Sequence, residues 1–81
     1  EHLSEFSLLD VRTYLEREQF SIGGLHIPLD ELSMRINEIP VDKRLVVYCK
    51  VGIRSLAAID ILKSVGYPSD LLNLKNGIQD F

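Results

Sequence analysis

The feature that most constrains the fold is the run Leu45-Val46-Val47-Tyr48, which ends at the only cysteine of the chain, Cys49. An unbroken β-branched and aromatic run of this kind is typical of a strand that is covered on both faces. After a short loop, residues 55–65 form a helical pattern that is apolar around most of its circumference, and Gly66 follows as a C-cap. We therefore predict a central strand followed by a largely buried helix.

The rest of the chain alternates between strand-forming and helix-forming segments in the same way. Strands are predicted at 6–11, 25–29 and 71–74, and helices at 13–19 and 31–38, with Thr13 and Asp30 as their N-caps. This order predicts an α/β fold with a mostly parallel central sheet and helices on both faces. Residues 76–81 are predicted to open a last turn or helix.

The length and the start of the chain bear on its domain organisation. Its 81 residues suffice for one small domain with a single core and are too few for two domains. The chain starts without Met, at Glu1, only a few residues before the first predicted strand. We therefore expect residues 1–81 to be one N-terminally trimmed domain of a longer protein.

The composition argues against several classes of partner. With 9 basic and 12 acidic side chains the net charge is −3, which gives no electrostatic reason to expect nucleic acid or an anionic membrane. No apolar run approaches the roughly 20 residues that span a bilayer. A single cysteine cannot form an internal disulfide, which favours a reducing compartment, and we expect the cytoplasm.

Cys49 lies where the predicted central strand meets the following helix, at the edge where parallel sheets bind ligands. Unpaired N–H groups at the start of a helix, together with a loop made flexible by Gly52, favour a thiolate or another anion. Arg54 adds a fixed positive charge, and Lys50 and Ser55 add further donors. We interpret Cys49 as a thiolate nucleophile, with a small buried core residue as the alternative.

Two kinds of anion suit such a loop: a persulfide or thiosulfonate, and a phosphate. Cysteine loops that transfer phosphate resemble Cys-x-x-x-x-x-Arg, with five residues between the nucleophile and the arginine. In this chain only the four residues 50–53 separate Cys49 from Arg54. The smaller loop favours a terminal sulfur atom over a tetrahedral phosphoryl group.

The segment 46–55, Val-Val-Tyr-Cys-Lys-Val-Gly-Ile-Arg-Ser, resembles the active-site loop of the rhodanese-like sulfurtransferases. The resemblance extends to Leu-Leu-Asp-Val-Arg at 8–12, Ile-Pro-Leu at 27–29 and Asn-Gly-Ile at 76–78, in the order and spacing of that family. The shortened Ile-Gly-Gly at 22–24 is similar to rhodanese modules attached to the adenylating enzymes of molybdopterin or thiamine synthesis. The closing aromatic residue is phenylalanine, where the family commonly has tryptophan.

The resemblance implies a two-step sulfur transfer in which Cys49 is the catalytic residue and carries the sulfur as a persulfide. The donor would be thiosulfate or a protein persulfide such as that of a cysteine desulfurase, and the acceptor a nucleophile. The implied substrate-binding residues are Lys50, Val51, Gly52, Ile53, Arg54 and Ser55. Arg54 would bind the anionic group of the donor, whereas Asp10 and Arg12 are expected to form a structural ion pair near the loop.

Other implications concern partners and alternative functions. The family resemblance suggests a fused or separate adenylating domain, or a sulfur-carrier protein, as partner, and it implies no metal and no cofactor. One alternative is a catalytically silent module that keeps the fold and acts through its surface. Another, which the loop length disfavours, is a phosphatase or an arsenate reductase.

Overall fold

A computed structural model describes residues 6–74 and 77–78 of the chain. The strands are β1 (Phe6–Asp10), β2 (Leu25–His26), β3 (Arg44–Tyr48) and β4 (Leu71–Asn73). The α-helices are α1 (Tyr14–Gln19) and α2 (Ile53–Ser64), and two 3₁₀ segments, Leu29–Met34 and Ile36–Glu38, lie between β2 and β3.

The four strands form one parallel sheet in the order β2-β1-β3-β4, which confirms the predicted α/β fold. The connection through α1 leads from β1 to one edge of the sheet, and the connection through α2 leads from β3 to the other. Because parallel crossovers are right-handed, these opposite directions place α1 and α2 on opposite faces. Asp10 pairs with Tyr48, so the ends of the two central strands lie side by side.

The core lies between the sheet and the helical segments that cover it. Its centre is formed by the central strands β1 and β3, where Leu9, Leu45 and Val47 are fully buried. From the helical side, Leu32 of the first 3₁₀ segment and Leu62 of α2 complete the same buried cluster. The carboxyl end of β3 continues directly from this core into the Cys49 loop.

The predicted α-helix at 31–38 is wrong, because the segment forms two short 3₁₀ helices instead. The first begins after Pro28 rather than at Asp30, and neither segment has a side-chain cap. Arg35, at φ −123°, lies between the two segments and has a non-helical backbone conformation, and its side chain binds Glu31 and Glu38. A 3₁₀ segment places Leu32 in the core with the same apolar residues that an α-helix would use, so the pattern does not separate the two.

The prediction of a largely buried helix after the loop is also wrong in its extent. Helix α2 begins at Ile53, two residues earlier than predicted, and it ends at Ser64. Only one face is buried, and Leu56 on the other face is 54% exposed. An apolar circumference does not bury a helix that has the sheet on one side only. Gly66, at φ +78°, confirms the predicted left-handed residue after the helix.

The remaining differences are at segment ends. β1 and β4 each end one residue earlier than predicted, although the Val11 N–H still donates to the Tyr48 carbonyl over 3.1 Å. β2 has only two residues, because Pro28 follows closely and has no N–H to donate. Of the predicted turn or helix at 76–81, only Gly77 and Ile78 are described, and they form a turn. Among the described helices none has the length and apolarity needed to cross a membrane.

Candidate active site

The backbone around Cys49 is shaped by a sharp change from strand to helix. β3 ends at Tyr48, α2 begins at Ile53, and the fully buried Cys49 follows the strand directly. Gly52 is the N-cap of α2 at φ +97°, a conformation that glycine adopts without steric cost. The turn at Gly52 directs backbone N–H groups of the loop back toward the cysteine sulfur.

The Cys49 sulfur accepts hydrogen bonds from two of these N–H groups. The distances to its Sγ are 3.0 Å from the Gly52 nitrogen and 3.3 Å from the Ser55 nitrogen. A third contact, 3.5 Å long, joins Sγ to the Ser55 hydroxyl. Donors that converge on one sulfur atom stabilise it most when it carries a negative charge.

These contacts outweigh the effect of burial on the thiol. Burial by itself would raise the pKa of Cys49, since it disfavours the charged form. The Ser55 hydroxyl, once its proton turns toward the thiolate, and the N–H groups of Ser55, Gly52 and Val51 lower it, and the net pKa lies below that of an ordinary thiol. The site therefore favours the thiolate, the form in which cysteine is a nucleophile.

The Ser55 hydroxyl is also connected to a residue that the sequence did not single out, Asn73. Ser55 Oγ donates to Asn73 Oδ1 at the end of β4, and Asn73 Nδ2 donates to the Gly52 carbonyl over 3.5 Å. Asn73 thus contacts the N-cap residue of α2 and a residue of its first turn. The available sequence signal was weak: a polar residue near the carboxyl end of a predicted strand.

Arg54 is held by a second residue that the sequence did not assign to the site, Glu16 of α1. The two terminal nitrogens of Arg54 donate to the two carboxylate oxygens of Glu16 at 2.7 and 2.9 Å. Glu16 also accepts from the Thr13 backbone in a capping box at the start of α1. The Arg54 contact, together with these bonds, lowers the pKa of Glu16 to about 2 in spite of partial burial.

Gly77 and Ile78 close the loop from its inner side. The Ile78 N–H donates to the Cys49 carbonyl over 3.1 Å, which satisfies a polar group in a buried position. A Cβ atom on Gly77 would lie 2.2 Å from the Lys50 carbonyl oxygen, so only glycine fits at this position. The turn after β4 therefore supports the loop that carries Cys49.

Asp10 and Arg12 form the expected ion pair at the neighbouring strand end. Arg12 donates through Nε and Nη2 to the Asp10 carboxylate, each over 2.9 Å, and both side chains are buried. Burial raises the pKa of Asp10, but the Arg12 contacts outweigh it and hold the pKa below its usual value. The Arg12 guanidinium also lies 5.7 Å from the Tyr48 ring centre, which couples the pair to the end of β3.

The remaining loop residues form the rim of the site. Lys50 is exposed, Val51 is 41% exposed and Ile53 is 72% exposed, so these side chains point toward solvent. A cavity of about 360 Å³ opens beside the loop and is lined by Val11, Thr13, Pro28, Leu29, Asp30 and Arg54. The structure thus brings together all the loop residues named from the sequence, with buried donors inside and a rim of one basic and two apolar side chains outside.

The fold and the site together define an α/β domain in which hydrogen-bond donors converge on a cysteine sulfur at the carboxyl edge of the sheet. The chain matches the family described as Rhodanese-like domain over residues 1–81. It belongs to the rhodanese-like family, which confirms the resemblance seen in the sequence. Within residues 6–74 and 77–78, no cluster of three or more side chains suited to hold a metal ion is found.

Similar proteins with known sequences or structures agree with this assignment. The chain is 40% identical over 72 residues to a "Sulfurtransferase" of Allochromatium vinosum, covering 88% of this chain and 66% of that protein. It is 32% identical over 77 residues to the "Probable adenylyltransferase/sulfurtransferase MoeZ" of Mycobacterium tuberculosis, covering 91% of this chain and 19% of that protein. The chain thus spans less than two thirds of the length of these relatives.

A solved structure confirms the fold. The structure of a rhodanese-related protein from Thermoplasma volcanium superimposes with a TM-score of 0.85 at 32% sequence identity. The match covers 96% of this chain and 77% of that one. The parallel sheet and the helices described above are therefore those of the family.

Proposed function

We propose that this domain is a sulfurtransferase that carries a sulfane sulfur as a persulfide on Cys49. The observation that carries the proposal is the convergence of the Gly52 and Ser55 N–H groups on the Cys49 sulfur, at 3.0 and 3.3 Å. Such donors stabilise both the attacking thiolate and an anionic terminal sulfur bound to it. The family membership and the relative named as a sulfurtransferase support the same activity.

In the first step, the Cys49 thiolate attacks the outer sulfur of the donor. With thiosulfate, a sulfur–sulfur bond forms to Cys49, the sulfur–sulfur bond of thiosulfate breaks, and sulfite leaves with the bonding electron pair. The loop residues 50–53 and Ser55 contribute backbone and hydroxyl donors to the transferred sulfur. Arg54 binds the anionic group of the donor with the part of its guanidinium that Glu16 does not occupy.

In the second step, a nucleophilic acceptor attacks the outer sulfur of the persulfide. The bond between the two sulfur atoms breaks, the acceptor keeps the transferred sulfur, and Cys49 returns as a thiolate. Neither step requires a separate general base on the domain, because the donors around Cys49 favour its thiolate both as attacking and as leaving group. Lys50 adds a positive field at the rim, while the Asp10–Arg12 pair keeps the ends of the central strands in place.

The partners belong to the same proposal. Donors are thiosulfate or the persulfide of a protein such as a cysteine desulfurase, in the reducing environment of the cytoplasm. The acceptor is a sulfur-carrier protein or a site on an adenylating domain, fused or separate. The adenylyltransferase named in one relative supports such an arrangement and a role in molybdopterin or thiamine synthesis.

The test is to incubate the domain with thiosulfate and measure its intact mass, then add cyanide and measure thiocyanate. We expect one added sulfur atom on the wild-type protein, its removal by cyanide, and neither signal with Cys49→Ser. Ser64→Ala, which removes an exposed hydroxyl from α2, serves as a matched control with unchanged transfer. Absence of an adduct with both thiosulfate and a cysteine-desulfurase persulfide would exclude the proposed activity.

A catalytically silent interaction module is the second candidate. It is favoured by the Glu16 contact, which neutralises Arg54, and by the exposed apolar side chains of Val51 and Ile53 on the rim. If Cys49→Ser left the activity of the full-length protein unchanged, this function would replace the first. Hydrolysis of an aryl phosphate by the domain would instead revive the phosphatase alternative.

A further inference from the structure

The Ser55 hydroxyl has one proton and two polar neighbours that compete for it. On one side lies the Cys49 sulfur, 3.5 Å away, and on the other lies the side-chain oxygen of Asn73. A serine hydroxyl can donate only one hydrogen bond, although it can accept others. The direction of this single proton decides whether Ser55 donates to the sulfur or accepts from it.

The orientation of Asn73 is fixed by the Gly52 carbonyl. That oxygen can only accept a hydrogen bond, so the amide nitrogen Nδ2 has to face it, at 3.5 Å. The amide oxygen Oδ1 then faces Ser55 and can only accept in turn. The Ser55 proton is therefore directed toward Asn73, and the lone pairs of Ser55 Oγ are left to face Cys49.

This arrangement suits the protonated form of the cysteine. The Cys49 S–H donates to Ser55 Oγ, Ser55 donates to Asn73, and Asn73 donates to the Gly52 carbonyl, so that all four polar groups are satisfied. When the thiol loses its proton to solvent, Ser55 has to turn its hydroxyl toward the sulfur to stabilise the charge. That turn deprives Asn73 Oδ1 of its donor, which has an energetic cost in a half-buried position.

We propose that Asn73 is a positioning residue that controls the reactivity of Cys49 through Ser55, by holding the Ser55 hydroxyl proton away from the sulfur. Its effect opposes that of the Gly52 and Ser55 N–H groups, which favour the thiolate. The balance between the two sets the fraction of Cys49 that is present as thiolate. The inference deepens the proposed function, because the thiolate is the form that attacks sulfur. The effect of Asn73 on the thiol does not depend on sulfur transfer, but its importance for catalysis rests on the proposed function.

The test follows the rate at which iodoacetamide alkylates Cys49 as a function of pH, which does not involve sulfur transfer. Asn73→Leu keeps the approximate side-chain size and removes the competing acceptor. We expect the midpoint of its profile to fall by about one pH unit, close to a tenfold change in the protonation equilibrium. Asn73→Asp holds the Ser55 proton more firmly and adds a negative charge, so its midpoint should rise.

Each change is repeated in a Ser55→Ala background, which separates an effect that passes through the Ser55 hydroxyl from a direct effect of charge on Cys49. In this background, which lacks the hydroxyl, we expect Asn73→Leu to leave the midpoint unchanged. Asn73→Asp should raise the midpoint by less than it does when Ser55 is present. Ser64→Ala, whose hydroxyl donates to the Ile61 carbonyl on the same helix, is the control for loss of a serine hydroxyl and should leave the profile unchanged. Asn73→Ala provides a second test if the larger leucine prevents folding.

The charged groups around the loop stay the same in every variant, so they do not account for differences among the uncharged ones. Among residues 6–74 and 77–78, these groups are Arg54 of α2 with its partner Glu16 of α1, the Asp10–Arg12 pair at the end of β1, and Lys50 in the loop.

Two results would overturn the proposal. If folded Asn73→Leu and Asn73→Ala proteins retained the wild-type midpoint, Asn73 would serve only to support the loop backbone. If Asn73→Leu shifted the midpoint equally with and without Ser55, the effect would not pass through the hydroxyl. Failure of sulfur transfer with an intact shift in the alkylation profile would overturn the proposed function and leave the role of Asn73 standing.

Discussion

The pair formed by Glu16 and Arg54 shows how one contact sets the charge that the Cys49 loop offers to a substrate. A bidentate carboxylate occupies both terminal nitrogens of the arginine, at 2.7 and 2.9 Å. Because the pKa of Glu16 is lowered to about 2, the carboxylate stays ionised and paired with Arg54 at mildly acidic and neutral pH. The charge of Arg54 is therefore already neutralised by Glu16 before a substrate binds at the loop.

Replacing Glu16 by glutamine should improve the binding of a dianionic donor such as thiosulfate. Glutamine can keep the capping box with Thr13, so the helix is preserved while the charge of Arg54 is released. We expect KM for thiosulfate to fall roughly fivefold, equivalent to about 1 kcal/mol. Glu18→Gln, an exposed change on the same helix, is the control and should leave KM unchanged. A higher KM in Glu16→Gln would show that Glu16 orients Arg54 rather than competing for it.

At the scale of elements, α2 is framed by two glycines with the same backbone requirement and different surroundings. Gly52 before the helix has φ +97° and donates its N–H to the Cys49 sulfur, whereas Gly66 after it has φ +78°. A Cβ atom at Gly66 would meet nothing within 4 Å. A substitution at Gly66 therefore tests the cost of backbone strain alone, whereas a substitution at Gly52 adds the loss of a donor to the Cys49 sulfur.

Both Gly52→Ala and Gly66→Ala should destabilise the domain, because each forces alanine into a left-handed conformation that costs roughly 1–2 kcal/mol. Thermal unfolding monitored by circular dichroism should show a lower Tm for both. Only Gly52→Ala should also raise the midpoint of the Cys49 alkylation profile, since it disturbs an N–H donor to the sulfur. An equal shift in both variants would indicate a general loosening of the fold.

The helical elements also show what the sequence pattern can and cannot specify. The run before Cys49 predicted the central strand, and the Cys49-to-Arg54 spacing predicted the loop. Glu16 and Asn73 were missed because their contacts with Arg54 and Ser55 bridge 38 and 18 residues of sequence. Contacts of this kind depend on how the elements pack.

For the molecule as a whole, the buried ion pair between Asp10 and Arg12 links stability to pH. The folded pKa of Asp10 lies below 3.8, its ordinary value. A lowered pKa contributes stability above the ordinary value, and this contribution is lost as the pH falls through the folded value. The domain should therefore lose stability in acid from about pH 4 downward.

Urea unfolding of wild type and Asp10→Asn at several pH values tests this linkage. At neutral pH the variant should be less stable by about 3–5 kcal/mol, because Arg12 is left buried without its counter-charge. The difference should shrink as the pH falls below 4, because Asp10 in the unfolded chain binds a proton at a higher pH than Asp10 in the folded domain. Asp60→Asn, an exposed change on α2, should show little difference at either pH. A gap that is the same at pH 7 and pH 3 would contradict the assignment.

The turn formed by Gly77 and Ile78 has a practical consequence for anyone who shortens this domain or attaches a tag to it. Its N–H donation to the Cys49 carbonyl and its tight fit against Lys50 make the turn part of the reactive loop, although it is distant in sequence. A cloning boundary placed directly after β4 would leave that carbonyl without its partner. Fusion joints and affinity tags therefore belong beyond residue 78.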